Sequence, residues 1–363
     1  MSDNNIHAQR VLVIGVGGIG GTVSAMLREH DPSTLSELVA VSTNPAITAA
    51  VNERGFLLTG VEEQRSIPGR IEAEVPADSP PFDWILLAVP PPHVEEAARK
   101  HAAHLGETGR MVCFQNGLCE QRVAAIVGEE RVVGAIVGWG GSMVEPGVFA
   151  RTSHGGFTVG RLDGQLDPGL SRLALLLEII GPVKITENLA GARWSKLAIN
   201  CAISTLGTLG GDRLGPLMRY QFIRRLALEL MTETVAVARA EGVTLEKVSG
   251  TLDLDWLALD EEERAIAGSA SLVAKHGLLL AVGARYRRLR SSMLSAIERG
   301  REPSVDFLCG EVVSRGESYN IPTPVNALAR QMVWALHEGE GAPALETARS
   351  LFTQTAHLRG PAE

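Results

Sequence analysis

The sequence predicts two domains, an α/β domain with a mostly parallel sheet over residues 1–186 and an all-α domain over residues 187–363. Two observations predict this order. Short apolar runs alternate with helical segments in the first half, as in doubly wound α/β proteins. From about residue 187 almost every segment has a helical pattern instead. The length of 363 residues agrees, because chains of this size usually divide into about two domains.

The predicted strands of the first domain are apolar runs with little polar alternation, which is typical of strands covered on both faces. These runs are 11–14, 38–41, 84–89, 111–114 and 132–137. The helical segments between them are 22–27, 46–54, 93–104 and 120–127. The segment 147–160 is richer in Gly and Thr, and we expect it to form an antiparallel hairpin that closes the sheet.

The second half contains helical patterns separated by glycines and by the turn Pro322-Thr323-Pro324. The predicted helices are 189–205, 219–240, 261–282, 286–298, 305–318 and 325–337.

Composition limits the classes of function. Net charge is −8, which argues against nucleic-acid and anionic-membrane partners. No apolar run is long enough to span a membrane, and the polar N-terminus has no apolar region typical of a signal peptide. The four cysteines are scattered without a zinc-binding spacing. We therefore expect a cytoplasmic protein with reduced thiols and no metal site.

A glycine-rich loop follows the first predicted strand and opens the first predicted helix. Its residues match the pattern G-x-G-x-x-G; they are Gly15, Val16, Gly17, Gly18, Ile19 and Gly20. In this context the pattern predicts a Rossmann-type dinucleotide site, with Gly15 in the tight turn, Gly17 at the pyrophosphate and Gly20 between helix and strand. The helix N-terminus would then face the phosphates.

The end of the second predicted strand bears on the choice of cofactor. Proteins selective for NAD usually carry Asp or Glu there to bind the ribose hydroxyl. This chain has Ser42, Thr43 and Asn44 instead, whose short polar side chains can bind a 2′-phosphate. We therefore expect NADP, with NAD as the less favoured alternative because no arginine stands at this position.

The first helix of the second domain carries polar residues at Lys196, Asn200 and Ser204, in steps of four along an otherwise apolar segment. Such spacing places them on one helix face. A lysine in a dry site can have a lowered pKa and act as a general acid toward a carbonyl oxygen. The structural alternative is a lysine at the helix edge that extends its ammonium group into water.

With these residues the chain resembles the ketopantoate reductase (2-dehydropantoate 2-reductase) family, which joins a Rossmann domain to a helical domain. The resemblance covers nearly the whole chain and rests on five motifs in order, at 15–20, 115–117, 196–201, 291–294 and 306–310. The motifs at 196–201 and 291–294 favour this family over the β-hydroxyacid dehydrogenases, which also join a Rossmann domain to a helical domain with a catalytic lysine.

The resemblance implies roles for five residues. Lys196 would donate a proton to the carbonyl oxygen, and Asn116 would contact both the nicotinamide and the substrate. Asn200 and Ser292 would hold the substrate, and Gly140 would lie beside the cofactor.

The chain departs from the family pattern at several polar positions. Pro90 stands where the family has a lysine near the cofactor phosphate. Ser204 and Leu214 stand where the family has substrate-binding asparagines, although Asp212 is close enough to leave the register of that loop open. Ser304 replaces a glutamate in the cofactor and substrate region, and Glu302 could take its place only if the loop shifts.

These departures affect groups that would bind ketopantoate more than groups that transfer hydride and proton. We therefore expect an NADP-dependent oxidoreductase acting on a small 2-oxo acid or similar carbonyl other than ketopantoate. One alternative is 2-dehydropantoate 2-reductase itself, and another is a non-catalytic NADP-binding regulatory protein, against which the retained Lys196, Asn116 and Asn200 argue. The sequence allows a homodimer.

Overall fold

The computed structural model describes residues 8–61, 63–248, 252–265 and 268–359. Within it the chain divides into two compact units. The first comprises the chain up to Gln115 together with Cys119–Leu189, and the second comprises Asn116–Leu118 together with the chain from Ala190 onward. The second unit therefore includes Asn116, although the flanking chain on both sides belongs to the first.

The first unit contains eleven strands within its described residues. They are β1 (Gln9–Ile14), β2 (Leu35–Val41), β3 (Phe56–Gly60), β4 (Arg65–Ile67), β5 (Phe82–Leu87), β6 (Leu105–Cys113), β7 (Val132–Val137), β8 (Gly141–Glu145), β9 (Val148–Arg151), β10 (Phe157–Arg161) and β11 (Val183–Ile185). A seven-stranded sheet has the order β11-β10-β7-β6-β5-β1-β2, and a four-stranded sheet has the order β4-β3-β9-β8. In the large sheet, β2, β1, β5, β6 and β7 are parallel. This confirms the predicted α/β domain with a mostly parallel sheet.

Five helices accompany these strands, with N-terminal caps where the sequence supplies them. They are α1 (Gly18–Leu27), α2 (Pro45–Arg54), α3 (Val94–His101), α4 (Glu120–Val127) and α5 (Pro168–Leu177). Asn44 caps α2 and Asp167 caps α5 through their side-chain oxygens. The first strand, β1, lies between β5 and β2 and is buried on both faces, since Val11, Leu12 and Val13 are all fully inaccessible to solvent.

The predicted hairpin at 147–160 is wrong in its pairing. β10 does close the large sheet, by antiparallel pairing with β7, but β9 pairs with β8 and β3 in the small sheet. The chain passes from one sheet to the other through Gly155 and Gly156. A Cβ atom at Gly156 would lie 1.7 Å from the Pro182 carbonyl oxygen, so these glycines allow a close crossing rather than a turn.

The second unit is built from helices and has no named strand among its described residues, which confirms the predicted all-α domain. Its helices are α6 (Leu189–Gly210), which begins at the last residue of the first unit, α7 (Leu214–Met218), α8 (Gln221–Ala240), α9 (Leu254–Leu257), α10 (Glu261–Ala265), α11 (Ala270–Arg285), α12 (Ser292–Ile297), α13 (Cys309–Tyr319), α14 (Pro324–His337) and α15 (Leu345–Gln354). Among the described residues, no helix is both long and apolar enough to cross a membrane.

Three helix predictions in this unit need correction. The segment predicted as one helix at 261–282 contains two helices, α10 and α11. The helix predicted at 286–298 is reduced to α12, because Tyr286 is the C-cap of α11 and the Ser291 side chain caps α12. Residues 286–290 form a turn between these caps. The predicted helix at 305–318 begins with a short 3₁₀ turn, Ser304–Phe307, before α13.

Candidate active site

The glycine loop combines a strained turn with close packing between β1 and α1. Gly15 has φ +96°, which favours glycine, and its N–H donates to the Val41 carbonyl oxygen at 3.0 Å. A Cβ atom at Gly20 would lie 1.9 Å from the Gly15 carbonyl oxygen. Any side chain at Gly20 would therefore push α1 away from the loop.

Gly17 lies at the N-terminus of α1, where the chain leaves room for a ligand. A Cβ atom there would meet no heavy atom within 4 Å, and no side chain caps this helix end. Because no side chain caps this helix end, its first N–H groups are left for a ligand, and the open space beside Gly17 suits a pyrophosphate. Val16 is buried in the core and Ile19 packs against it, while a Cβ atom at Gly18 would lie 2.6 Å from the Gly141 carbonyl oxygen.

The residues after β2 present hydrogen-bond donors. Ser42 is buried, and its Oγ accepts from the Asn44 N–H at 3.3 Å. The Asn44 Oδ1 accepts from the Ala46 and Ile47 N–H groups at the start of α2. Within the described chain, the Asn44 Nδ2 and the exposed Thr43 hydroxyl make no hydrogen bond. The Ser42 Oγ and the Asn44 Oδ1 thus already accept hydrogen bonds within the chain. The Asn44 Nδ2 and the Thr43 hydroxyl remain as donors to a ligand, and such donors suit an anionic group.

Gln115 connects the ends of two neighbouring strands of the large sheet. Its Nε2 donates to the carbonyl oxygens of Leu87 at 2.8 Å and Val89 at 3.0 Å, just after β5. Val89 in turn contacts the glycine loop, since a Cβ at Gly15 would lie 2.9 Å from the Val89 nitrogen. Pro90 is exposed and precedes a 3₁₀ turn. Sequence analysis used Gln115 only as part of a motif and missed this bridging role.

Gly140 uses both of its backbone polar groups within the first unit. Its N–H donates to Ser153 Oγ at 2.9 Å, and its carbonyl oxygen accepts from the Thr152 N–H at 2.7 Å. The preceding Trp139 is buried, and its indole N–H has no hydrogen-bond partner among the described residues. Trp139 carries no sequence signal that sets it apart from a core tryptophan.

In the second unit, Lys196, Asn200 and Ser204 occupy one partly exposed face of α6. The neighbouring Leu197 and Cys201 point into the helical core. The Asn200 Nδ2 is buried and makes no hydrogen bond to any described residue. A buried amide donor without a partner costs about 1–3 kcal/mol, so this face is built to meet another polar group.

A cluster of hydroxyl groups attaches α12 to this helix. The Ser291 Oγ and the Thr208 Oγ1 both lie within 2.9 Å of the Ser204 carbonyl oxygen and 2.9 Å from each other. The close approach depends on Gly207, where a Cβ atom would lie 3.2 Å from the Ser291 Cβ. Ser292 follows directly and is exposed, so the cluster holds it beside the polar end of the α6 face.

Asn116 is held within the same unit by the residue that follows it. Gly117 has φ +90°, and a Cβ atom there would lie 2.4 Å from the Phe307 carbonyl oxygen. Phe307 ends the 3₁₀ turn that starts at Ser304, so this turn supports the loop carrying Asn116. Asn116 itself is exposed, and Ser304 is partly buried.

The 3₁₀ turn is anchored to α14 through Asp306. The Asp306 Oδ1 accepts hydrogen bonds from Arg330 Nε and from the Trp334 indole at 3.1 Å. Sequence analysis placed Asp306 in a motif but gave it no role, because its partners lie more than twenty residues away.

Leu214 does not lie on the α6 face. It is 3% exposed and belongs to the helical core, with its N–H donating to the Leu289 carbonyl oxygen. The family asparagine at this position therefore has no polar counterpart at Leu214.

Glu302 is exposed in the loop before the 3₁₀ turn. Among the described residues, no cluster of three His, Cys, Asp or Glu side chains could hold a metal ion.

Comparison with known proteins identifies the family. The family model for ketopantoate reductase PanE/ApbA matches residues 11–164, and the family model for the ketopantoate reductase PanE/ApbA C terminus matches residues 188–337. The chain belongs to the ketopantoate reductase family. This family consists of oxidoreductases, and the chain has the Rossmann-type domain and the helical domain that the family shares.

Relatives in the ketopantoate reductase family are distant but match nearly end to end. A 2-dehydropantoate 2-reductase of Pyrococcus abyssi is 23% identical over 337 residues, covering 92% of this chain and 98% of the relative. A 2-dehydropantoate 2-reductase of Caulobacter vibrioides is 25% identical over 328 residues, covering 88% and 96%.

Solved structures share the family fold. A PanE/ApbA family ketopantoate reductase from Ralstonia eutropha JMP134 has a TM-score of 0.73 at 22% identity, covering 91% of this chain and 99% of that one. D-mandelate dehydrogenase in complex with NADH and anilino(oxo)acetate has a TM-score of 0.72 at 16% identity, covering 91% and 98%.

Proposed function

We propose that this ketopantoate reductase family member is an NADP-dependent oxidoreductase that interconverts a 2-oxo acid, or a similar carbonyl compound, with the corresponding alcohol. Residues 1–186 bind the dinucleotide, and residues 187–363 together with Asn116 supply the substrate groups. The observation that carries this proposal is the α6 face, where Lys196 lies four residues from Asn200, whose buried Nδ2 has no partner among the described residues. A helix built only for packing would not carry these polar groups there.

Lys196 is assigned as the general acid. In the reduction, the substrate C=O carbon gains a hydride and its oxygen gains the Lys196 Nζ proton, which leaves a hydroxyl group and a neutral amine. In the reverse direction the amine accepts the proton. Lys196 lies on the partly exposed face of α6, where its ammonium group can reach a substrate and donate the proton to the carbonyl oxygen.

The substrate groups are assigned to neighbouring positions in the helical unit. The Asn200 Nδ2 and the Asn116 side chain orient the carbonyl and its attached carboxylate, and the Ser292 hydroxyl binds a polar group farther from the carbonyl. The Ser291 cluster and the Gly117–Phe307 contact support Ser292 and Asn116, so these side chains are set in place before substrate binds.

The cofactor site is assigned to the glycine loop and the end of β2, with the glycine loop at the pyrophosphate. When bound, the reduced nicotinamide supplies the hydride. The open space beside Gly17 and the uncapped start of α1 fit the pyrophosphate, and Gly140, Pro90 and Ser304 are assigned to the rest of the site. The donors of Thr43 and Asn44, with no acidic residue beside them in the loop, favour a 2′-phosphate over a free ribose hydroxyl.

The proposed substrate is not ketopantoate. Ser204 and Ser304 are shorter than the asparagine and glutamate of the family pattern, and each hydrogen bond lost to a bound polar group costs about 0.5–1.5 kcal/mol. The fold also accommodates other acids, as the D-mandelate dehydrogenase complex with an oxoacetate ligand illustrates.

The relatives support a second candidate, 2-dehydropantoate 2-reductase, because the Pyrococcus abyssi and Caulobacter vibrioides proteins carry that name over nearly their whole length. Oxidation of NADPH and NADH against ketopantoate and a series of aliphatic and aromatic 2-oxo acids separates the candidates. We expect activity with NADPH and a kcat/KM at least about 100-fold lower for ketopantoate than for the best substrate. A kcat/KM near about 10⁵ M⁻¹s⁻¹ for ketopantoate would favour the second candidate.

A further inference from the structure

Arginines are concentrated in two segments of the helical unit. Residues 210–220 and 284–292 carry six arginines and one acidic residue, Asp212, although the chain as a whole has a net charge of −8. Like charges that are held close together repel each other and destabilise the folded state. An anion bound among these arginines would offset that repulsion.

Backbone contacts bring the two segments together. The Leu214 N–H donates to the Leu289 carbonyl oxygen at 2.9 Å. A Cβ atom at Gly215 would lie 2.8 Å from the Arg287 Cα, so α7 packs directly against the turn that follows α11. Arg213 immediately precedes Leu214 and is the N-cap residue of α7. The arginines of the two segments are therefore neighbours in the fold.

Three of these arginines are available to a ligand. Arg290 pairs with Glu298. The side chains of Arg213, Arg287 and Arg288 are exposed and form neither an ion pair nor a hydrogen bond with another described residue. We call these three residues the arginine cluster. A guanidinium group presents several N–H donors in a fixed plane and binds a carboxylate or a phosphate through two parallel hydrogen bonds.

The arginine cluster adjoins the far end of the polar α6 face. The Ser291 Oγ, two residues after Leu289, donates to the Ser204 carbonyl oxygen at 2.9 Å. Arg213 follows the last residue of α6 by three positions. Because an α-helix rises about 1.5 Å per residue, Lys196 lies about 12 Å from Ser204 along α6. A ligand that reaches from Lys196 to the arginine cluster must therefore be extended.

We propose that the arginine cluster binds a second anionic group of the substrate, a carboxylate or a phosphate, and that the substrate is an extended 2-oxo acid with a negative charge at each end. This proposal rests on the proposed function, in which Lys196 lies at the carbonyl. The three arginines contact the end of the substrate that does not react, so they determine specificity. Ketopantoate ends in a hydroxyl group and would leave them unpaired.

Reduction of matched pairs of 2-oxo acids with NADPH tests the substrate class. One pair is 2-oxooctanoate and 2-oxosuberate, and the other is 2-oxohexanoate and 2-oxoadipate. The members of each pair differ by a carboxylate in place of the terminal methyl group. We expect kcat/KM to be at least about tenfold higher for 2-oxosuberate than for 2-oxooctanoate, mainly through KM, since hydrogen bonds between charged groups are the stronger ones. The ratio should be smaller for the shorter pair, whose second carboxylate reaches less far.

The same assay separates this proposal from the proposed function. If 2-oxo acids are reduced but the dicarboxylates have no advantage, the second anionic group is wrong and the proposed function stands. If no 2-oxo acid is reduced with NADPH or NADH, the proposed function is contradicted and this proposal falls with it.

Substitutions in the arginine cluster test the site itself. Arg213→Gln, and separately the pair Arg287→Gln and Arg288→Gln, should each lower the ratio of kcat/KM between 2-oxosuberate and 2-oxooctanoate at least about fivefold. The matched control is Arg172→Gln, at an exposed arginine of α5 that forms no ion pair within the described chain, and it should not change the ratio. A purely structural role would lower kcat/KM for both acids equally, so an unchanged ratio in the cluster variants overturns the proposal.

Inorganic phosphate distinguishes this site from a site for a separate anion. Under the proposal, phosphate competes with the second carboxylate and raises the KM for 2-oxosuberate more than the KM for 2-oxooctanoate. A phosphate-dependent change in kcat with both acids, lost in the cluster variants, would assign the arginine cluster to a free anion and overturn the proposal.

Discussion

The hydroxyl oxygens of Ser291 and Thr208 lie 2.9 Å apart in a buried contact between α12 and α6. The same Ser291 Oγ accepts from the Leu294 N–H as the cap of α12. One side chain therefore fixes both the start of α12 and its distance from α6. Ser291 therefore also positions the neighbouring Ser292, and under the proposed function it is a positioning residue for substrate binding.

Replacing Ser291 with alanine should raise the substrate KM about tenfold, with a smaller change in kcat and none in the Kd for NADPH. Loss of the cap and of the contact to α6 costs about 1 kcal/mol and leaves Ser292 less well positioned. Steady-state kinetics with calorimetric titration of NADPH measures this. The control is Ser295→Ala, which removes another hydroxyl of α12. Equal KM changes in both variants would show that Ser291 only stabilises the helix.

Replacing Lys196 with alanine should lower kcat by about 10²–10⁴-fold and leave NADPH affinity unchanged, because a general acid acts only in the chemical step. The pH profile of kcat should also lose the limb that reports on the lysine. The control is Lys100→Ala, at an exposed lysine of α3. A Lys196→Ala enzyme with most of its turnover would show that the lysine only extends into solvent.

Two glycines of the loop should respond differently to substitution, because Gly17 borders open space and Gly20 packs against the Gly15 carbonyl oxygen. Gly17→Ala should leave the unfolding free energy nearly unchanged and weaken NADPH binding at least about tenfold, because the new methyl group enters space that is open in the chain. Gly20→Ala should destabilise the fold by about 2 kcal/mol or more, since its Cβ overlaps the Gly15 carbonyl oxygen. Urea unfolding measures the free energy of unfolding of the two variants, and titration with NADPH measures their cofactor affinity. Similar effects of the two changes on both quantities would contradict the assignment.

These glycines also show what a sequence can predict. A tight turn and a close helix contact each require glycine independently of the rest of the fold. The structural roles of Gly15 and Gly20 can therefore be predicted from the pattern G-x-G-x-x-G. The common face of Lys196, Asn200 and Ser204 is predictable for a similar reason, because helix geometry alone fixes it.

Contacts between distant segments could not be predicted in this way. The Gly and Thr content of residues 147–160 predicts two strands, but it does not say that β9 and β10 belong to different sheets, since pairing depends on the whole fold. Leu214 matches a polar family position and yet lies in the core. The role of Ser291 depends on Thr208, eighty-three residues away in the chain.

Glu233 predicts a pH-dependent stability. This buried carboxylate of α8 accepts hydrogen bonds from the Val325 N–H and from the backbone and side chain of Asn326, at the start of α14. Burial raises the pKa of Glu233 from 4.5 to about 7, and repulsion from Glu229 adds to the effect. Between these two pH values the folded protein binds more protons than the unfolded chain, so its stability falls as pH rises through the window.

Urea unfolding at pH 5 and pH 8 tests this sign. The wild-type protein should lose about 2–3 kcal/mol more than Glu233→Gln over this range, because the glutamine does not titrate. Comparing the pH dependence, rather than stability at one pH, removes the constant cost of the poorer hydrogen bonds of glutamine. Equal pH dependence in both proteins would show that Glu233 titrates normally.

Restoring the family side chains should create activity toward ketopantoate. Ser204 and Ser304 are both partly exposed, so Ser204→Asn and Ser304→Glu can add polar groups without entering the core, as a change at the buried Leu214 would. Two regained hydrogen bonds of about 0.5–1.5 kcal/mol each should raise kcat/KM for ketopantoate about 5- to 160-fold in the double variant. The control is Ser318→Asn on α13, at an exposed serine. Steady-state kinetics of the double variant and of the control, with ketopantoate and with the best 2-oxo acid, measures these changes in kcat/KM. If the ketopantoate activity of the double variant does not rise, these two serines do not determine the substrate.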